Sequence, residues 1–481
     1  MHRILKLCAL VACVASATAG CSGSHGDINK VKHVVVIYME NHSFDNLYGM
    51  FPAADGIANA AARPKQADLS GNVYVNLPFA SSFTPATSPI PNSPYLVEMA
   101  VPNVYSPGAT IPDLVHGFYQ EQAQIHDGSN DRYVAISDSR GLSLAHYDTT
   151  KLPMYPIAQQ YTVADRFHAA AFGGSYLNHQ WLIAAQTPAW IGTNPTPGVA
   201  PNTFNKTSYD KTQTCLQGAS GCTTPIVVDG QFITDASGTT CYPVNTVQPV
   251  NTPHAGGSSA VAANLVPGFT SRNVGDLLNA AGVDWVWYSG GWNNALMGTP
   301  DATFQFHHQP FNYYANLADN SAAKATHLKD ETDFTASLAA GTVPPVSFIK
   351  FLGSNNEHPG YADLITGDQH LADTVNAIKG SSIWKDTVII ITYDEFGGFA
   401  DHVAPPTAAT AGAKADQWGP GTRVPAIFIS PFSKKGKVDH TLYDTTSILA
   451  FIEKRFGLPA LSTRDAAADP LSGAFDFTQN P

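Results

Sequence analysis

The chain has 481 residues, a formal net charge of −12, only 26 Lys+Arg and a charged fraction of 13%. That length is ample for a large core. Nucleic-acid binding needs clustered basic residues; the nearest cluster, Lys434-Lys435-Gly436-Lys437, reads as a solvated turn, so no nucleic-acid partner is expected.

At the N-terminus, Arg3 and Lys6 precede an apolar stretch at 7–15, and small residues lead into Cys21. Residues 1–20 read as a signal peptide, because the apolar run is far short of the ~20 residues that span a bilayer. The expected product is exported: periplasmic, secreted or anchored at the outer membrane of a bacterium. Thr18-Ala19-Gly20-Cys21 resembles a lipoprotein cleavage box. A lipid anchor at Cys21 and cleavage nearby both stay open. Residues 21–481 are expected to form one catalytic domain.

Residues 31–39 are a dense apolar, β-branched run and predict a buried parallel strand. Residues 284–288, 345–352, 388–392 and 424–430 read likewise. Helical periodicity appears at 363–379 and 445–456. Strands alternating with helices predict an α/β layered sandwich, with a central, mostly parallel β-sheet flanked by helices. Two stretches rich in Pro, Ala, Asn or Ser, at about 51–110 and 187–272, read as long loop-rich insertions. The second holds Cys215, Cys222 and Cys241. A Cys215–Cys222 disulfide is the simplest pairing in an oxidising compartment.

Two strands run into acidic residues. The first leads to Glu40-Asn41-His42-Ser43-Phe44-Asp45-Asn46, the other to Asp394-Glu395-Phe396-Gly397-Gly398-Phe399-Ala400-Asp401-His402. Ligand sites in open parallel sheets lie beyond the C-terminal strand edge. Adjacent carboxylates repel unless a cation neutralises them, and carboxylate and amide oxygens suit a hard divalent ion. Asn41 or Ser43 is also a natural helix cap. Asp401 and His402 are expected to return to the same edge. Gly173-Gly174 before Ser175 permits a tight backbone that exposes the hydroxyl. Ser175 also suits a helix N-cap. Among 17 histidines, His116, the pair His307-His308, and His358 stand out, the last three in Gly, Asn and Pro-rich loops; imidazolium there can hold phosphoryl oxygens and protonate a leaving group.

These motifs resemble the bacterial phosphoesterase family of the alkaline phosphatase superfamily. That family holds acid phosphatases and phosphatidylcholine-type phospholipases C. The resemblance rests on Glu40 to Asn46, on Tyr393 to Gly398 with Asp401-His402-Val403, and on Gly173 to Asn178. It implies an alkaline-phosphatase-like fold and one divalent metal ion: calcium, magnesium, manganese, iron or zinc. It implies Glu40, Asn41, Ser175, Asp394 and Glu395 as metal ligands and Ser175 as nucleophile. His116, His308 and His358 become the catalytic, phosphate-contacting set, with His307 beside them. Ser175 together with His307-His308 resembles the acid phosphatase branch more closely. The expected activity is hydrolysis of small phosphomonoesters through a phosphoserine. Phospholipase C action on phosphatidylcholine-type phosphodiesters is the main rival, and an inactive surface binding protein a remote one. A sulfatase is not indicated, since the Ser175 region lacks the C/S-x-P-x-R signature.

Overall fold

In the computed structural model, residues 26–191, 232–233, 239–257, 260 and 265–479 are described, with 215–216, 225–226 and 234 by backbone only. The readings of residues 1–20, of Cys21 and of a Cys215–Cys222 disulfide fall outside these residues. Cys241 is buried.

The main sheet is built from β1 (His33–Met39), β2 (Thr162–Ala164), β3 (Trp285–Ser289), β4 (Leu328–Asp330), β5 (Val346–Lys350), β6 (Thr387–Tyr393), β7 (Ala426–Ile429) and β8 (Lys437–Asp439). Their spatial order is β4-β3-β5-β1-β6-β7-β2-β8. Only β7 runs against its neighbours in this sheet. The expected α/β sandwich with a mostly parallel sheet is observed.

β1 lies at the centre because it is apolar on both faces. Residues 34–37 are fully buried, and so are residues 388–391 of its neighbour β6. Each such Val or Ile contributes about 1.5–3 kcal/mol by leaving water. The flanking helices include α1 (Phe44–Tyr48), α2 (Phe118–Ile125), α3 (Ser175–Ala184), α4 (Leu364–Lys379) and α5 (Thr446–Phe456). Asp363 caps α4 by accepting the Thr366 N–H at 2.8 Å. Leu364, Leu371, Val375 and Ile378 then fall on its buried face at helical spacing. Gly457, at φ +66°, ends α5.

Residues 51–110 have little regular structure, yet Leu77, Ile90, Tyr95, Val97 and Val104 join the main apolar core. Among the described residues no helix is long and apolar enough to cross a membrane.

Candidate active site

Met39 and Tyr393 are register partners on adjacent parallel strands. Glu40 and Asp394 therefore leave the sheet side by side, at the edge where parallel sheets bind ligands. The Asp394 N–H donates to Met39 O at 3.1 Å, and the Asn41 N–H donates to Asp394 Oδ1 at 3.4 Å. Asn41 takes φ +62°, a left-handed conformation that asparagine tolerates. Gly397 must be glycine: a Cβ there would sit 2.1 Å from Asn41 O.

Ser175 reaches the same edge from α3. It is the first residue of that helix, and Gly174 rather than Ser175 is the N-cap. The side chain is thus not spent on capping. Its Oγ donates toward Glu40 Oε2 at 3.3 Å and Asn41 Oδ1 at 3.4 Å. The turn before it depends on Gly173, at φ +85°, where a Cβ would lie 2.5 Å from the Phe118 backbone. Buried Glu121 accepts the Gly173 N–H at 2.5 Å. One helical turn after Ser175, His179 gives its Nδ1–H to Ser175 O at 2.7 Å.

The carboxylates share a pattern. Each has one oxygen engaged by the protein and one left over. Glu40 Oε1 is ion-paired with Lys350 Nζ at 2.5 Å and His308 Nε2 at 2.7 Å, leaving Oε2 beside Ser175. Asp394 Oδ1 accepts the Glu395 N–H at 2.9 Å, while Oδ2 has no hydrogen-bond partner among the described residues. Glu395 Oε2 accepts the Gly397 N–H at 2.6 Å, and Oε1 likewise has none. Asn41 Nδ2 faces His116 Nε2 at 3.4 Å, which turns Asn41 Oδ1 toward Ser175. Three carboxylates here are fully buried, which is costly without a cation. Burial, then the neighbouring Glu40 charge, pushes Asp394 up to about 8. Burial and Asp394 raise Glu395 well above the usual range. Burial also opposes ionisation of Glu40, but the charges of His308 and Lys350 hold it well below that range. This donor set fits a divalent metal ion held by Glu40, Asn41, Ser175, Asp394 and Glu395. The atoms of Glu40, His179 and His308 also converge to within 4.8 Å of one another.

Above this pocket opens a cleft of about 490 Å³. His116, Ser175, His307, His358 and Tyr361 line it, with Asp113 and Asp138. His307 faces the cleft, whereas its neighbour His308 reaches Glu40 instead. His116 Nδ1 is committed to Leu114 O and His358 Nδ1 to Pro359 O. Each therefore turns Nε2 inward, 3.6 Å from Glu395 Oε1 and 3.9 Å from Glu40 Oε2 respectively. Burial lowers His358 below the ordinary imidazole value, lowers His307 well below it, and brings His308 to about 4. The sequence reading relies on charged imidazolium. In this fold His358 and His307 need an incoming anion to favour that form.

The rest of the two motifs does other work. Ser43 caps α1, accepting the Asn46 N–H at 3.2 Å. His42 bridges Asn46 Oδ1 at 2.5 Å and Glu357 O at 3.2 Å. Asp401 and His402 do return to this end of the sheet, but they engage Asp45 and Arg423 there rather than Ser175. Asp401 pairs with the buried Arg423 Nε at 2.9 Å, and His402 with Asp45 at 2.7 Å. Arg423 also bonds Asp45 Oδ1 at 3.1 Å, so the Asp45–Asp401–His402 group already has its cation. Lys350, His179 and Glu121 belong to the site and escape the sequence reading. The signals were present: Lys350 ends a buried strand as Glu40 follows one, and His179 lies i+4 from Ser175.

A serine oxygen, converging carboxylates and a histidine-lined cleft thus meet at the edge of an α/β sheet, the class of site found in hydrolases. The chain belongs to the Phosphoesterase family, whose description matches residues 31–459. It is similar to the non-hemolytic phospholipase C of Pseudomonas aeruginosa, at 25% identity over 95% of this chain and 58% of that protein. It is also similar to phospholipase C A of Mycobacterium tuberculosis, at 24% identity over 95% of this chain and 79% of the relative. The chain thus spans little more than half the length of the first of these. Among solved structures, a protein in the alkaline phosphatase superfamily from Vibrio parahaemolyticus matches with a TM-score of 0.31 and 13% identity, over 66% of this chain and 63% of that one. The phosphonate monoester hydrolase of Agrobacterium radiobacter matches with a TM-score of 0.31 and 9% identity, over 89% and 74%.

Proposed function

We propose that the protein hydrolyses phosphodiesters of the phosphatidylcholine type, with Ser175 as nucleophile. The observation that carries the chemistry is the Ser175 hydroxyl set among Glu40 Oε2, Asn41 Oδ1 and the unpartnered oxygens of Asp394 and Glu395. A bound divalent ion would supply positive charge that favours the serine alkoxide and the charge developing on phosphoryl oxygen. Ser175 Oγ attacks phosphorus in line, and its proton leaves toward the carboxylates. The P–O bond to the departing alcohol breaks as a cleft histidine, His358 or His116, protonates that oxygen. His307 and the N-terminal end of α3 favour the phosphoryl oxygens. Water then attacks the same phosphorus, releasing the Ser175 hydroxyl and a phosphomonoester that keeps the other alcohol. His308 acts through its pairing with Glu40.

Two features favour a diester with a cationic head group. The cleft is far larger than a phosphate, and Asp113 and Asp138 stand at its rim beside Tyr361. Carboxylates and an aromatic ring suit a quaternary ammonium. The relatives named phospholipase C point the same way. The acid phosphatase reading rests on Ser175 with the His307-His308 pair. One assay separates them: hydrolysis of phosphatidylcholine against a small phosphomonoester such as para-nitrophenyl phosphate, with the same purified protein across pH. Faster turnover of the monoester, with the lipid untouched, would replace the first reading by the second. From the N-terminal pattern we further propose that the protein is exported, and that residues 21–481 act as one catalytic domain.

A further inference from the structure

Lys350 is the last residue of β5 and is fully buried. Its Nζ lies 2.5 Å from Glu40 Oε1, donates to Met39 O at 3.2 Å and sits 5.2 Å from the centre of the Tyr38 ring. It has no path to the cleft, so it touches no substrate. A hydrophobic isostere would fill this space at no charge cost, and burying an ammonium is expensive unless its charge is used. Three buried carboxylates, Glu40, Asp394 and Glu395, surround the cation pocket. Lys350 is the one Lys or Arg ion-paired to any of them among the described residues.

We infer that Lys350 is a positioning residue that sets the charge of the ion the pocket accepts. Its ammonium cancels one of the three carboxylates, so the pocket is matched to two positive charges rather than three. By occupying Glu40 Oε1 it also presents Glu40 to the ion through Oε2 alone. Selection by charge differs from selection by size. Ca²⁺ and Tb³⁺ are similar in radius and both favour oxygen ligands, yet the third charge on Tb³⁺ gains nothing here. A fixed charge several ångströms away, at a protein-like effective dielectric, changes the affinity for one unit of ion charge by roughly tenfold or more.

This inference rests on reading Glu40, Asn41, Ser175, Asp394 and Glu395 as a cation site. It is tested on metal-stripped full-length protein by competitive titration of Ca²⁺ against Tb³⁺, read as terbium luminescence and by calorimetry. Four proteins are compared: wild type, Lys350→Met, Glu40→Gln and the double variant. The imidazoles are common to all four, so their contribution cancels in the comparison. Lys350→Met should shift the ion preference at least about tenfold toward Tb³⁺. Glu40→Gln, which keeps an oxygen ligand but loses a charge, should shift it toward Ca²⁺. The double variant restores the original charge and should return close to the wild-type ratio. A merely structural role for Lys350 would lower both affinities together and leave the ratio in place. If Lys350→Met does not fold by circular dichroism, Lys350→Gln, which keeps a donor for Met39 O, carries the same expectation. Binding of both ions with an unchanged ratio in the lysine variant overturns the inference alone. Failure of wild type to bind either ion overturns the cation site itself.

Discussion

The backbone N–H of Asn41 donates to the Asp394 side chain at 3.4 Å, across 353 residues of chain. The two motifs proposed to hold the metal, the first and the last in the chain, are therefore tied to each other by the protein, before any ion is bound. One Asp394 oxygen serves this tie, and the other makes no hydrogen bond among the described residues, with His179 Nδ1 3.8 Å away. Asp394→Asn should keep the tie and weaken the ion. We expect at least about a tenfold loss of divalent affinity, with a parallel fall in kcat. A calorimetric titration that matched wild type would remove Asp394 from the site.

Metal-stripped protein should lose stability as pH rises. The folded Asp394 carboxyl, at about 8, lies above its free value of 3.8, so the folded chain keeps a proton that the unfolded chain releases. Stability falls across that window, between about pH 4 and pH 8. Glu121 and Asp368, each raised to about 7, tilt in the same direction with or without the ion. The joint share of Asp394 and Glu395, both raised in the stripped protein, is thus obtained by subtraction. The gap in Tm between divalent-loaded and stripped protein should widen from pH 4 toward pH 8. A gap that did not change with pH would contradict the buried-carboxylate account.

Ser175→Ala removes the oxygen proposed to attack phosphorus but no capping bond, since Gly174 holds the N-cap position. Turnover should drop on the order of a thousandfold or more, with the melting curve of the loaded protein little changed. Near-normal activity in a folded, metal-loaded variant would show that another group attacks phosphorus.

Gly173→Ala tests the turn that delivers Ser175. A Cβ at φ +85° would lie 2.5 Å from the Phe118 backbone, so the loop must move. The expected cost is about 1–3 kcal/mol of stability, and activity should fall by more than the stability loss explains. Full activity would mean that the loop adapts without moving the serine.

Arg423→Met leaves Asp401 buried without its ion-pair partner and Asp45 with His402 alone. Breaking such a pair from one side costs about 3–5 kcal/mol. Because Asp45, Asp401 and His402 line a pocket separate from the Ser175 cleft, kcat of the surviving folded fraction should stay near wild type. A large fall in kcat at unchanged Tm would assign this cluster a role in the reaction.

Much of the framework was legible because burial writes itself into composition. The apolar runs at 31–39 and 388–392 became β1 and β6, and the periodic stretch at 363–379 became α4 (Leu364–Lys379). The short strands Thr162–Ala164 and Lys437–Asp439 carry no such run, because only their neighbours make them strands. Within the site, Glu40 and Asp394 were readable as acids at strand ends. Lys350 carried the same signal, a charge at a buried strand end, but its role comes from an ion pair to a residue far away in sequence. His307 and His308 are adjacent, so spacing cannot tell which faces the cleft; the backbone decides, sending one ring outward and the other to Glu40. Asp401 and His402 follow the acidic pair closely enough to suggest a shared role, but at that edge Arg423 and Asp45 hold them in a cluster of their own.

The central place of β1 has a consequence for biogenesis. Its two neighbours, β5 and β6, are synthesised only after most of the chain, and the Lys350 contact to Met39 spans 311 residues. A nascent chain therefore carries its most apolar strand unpaired until late in translation, which makes folding dependent on distant contacts and slow. A ribosome-stalled fragment ending before residue 387 would display β1 with one flank bare, open to chaperones and proteases alike.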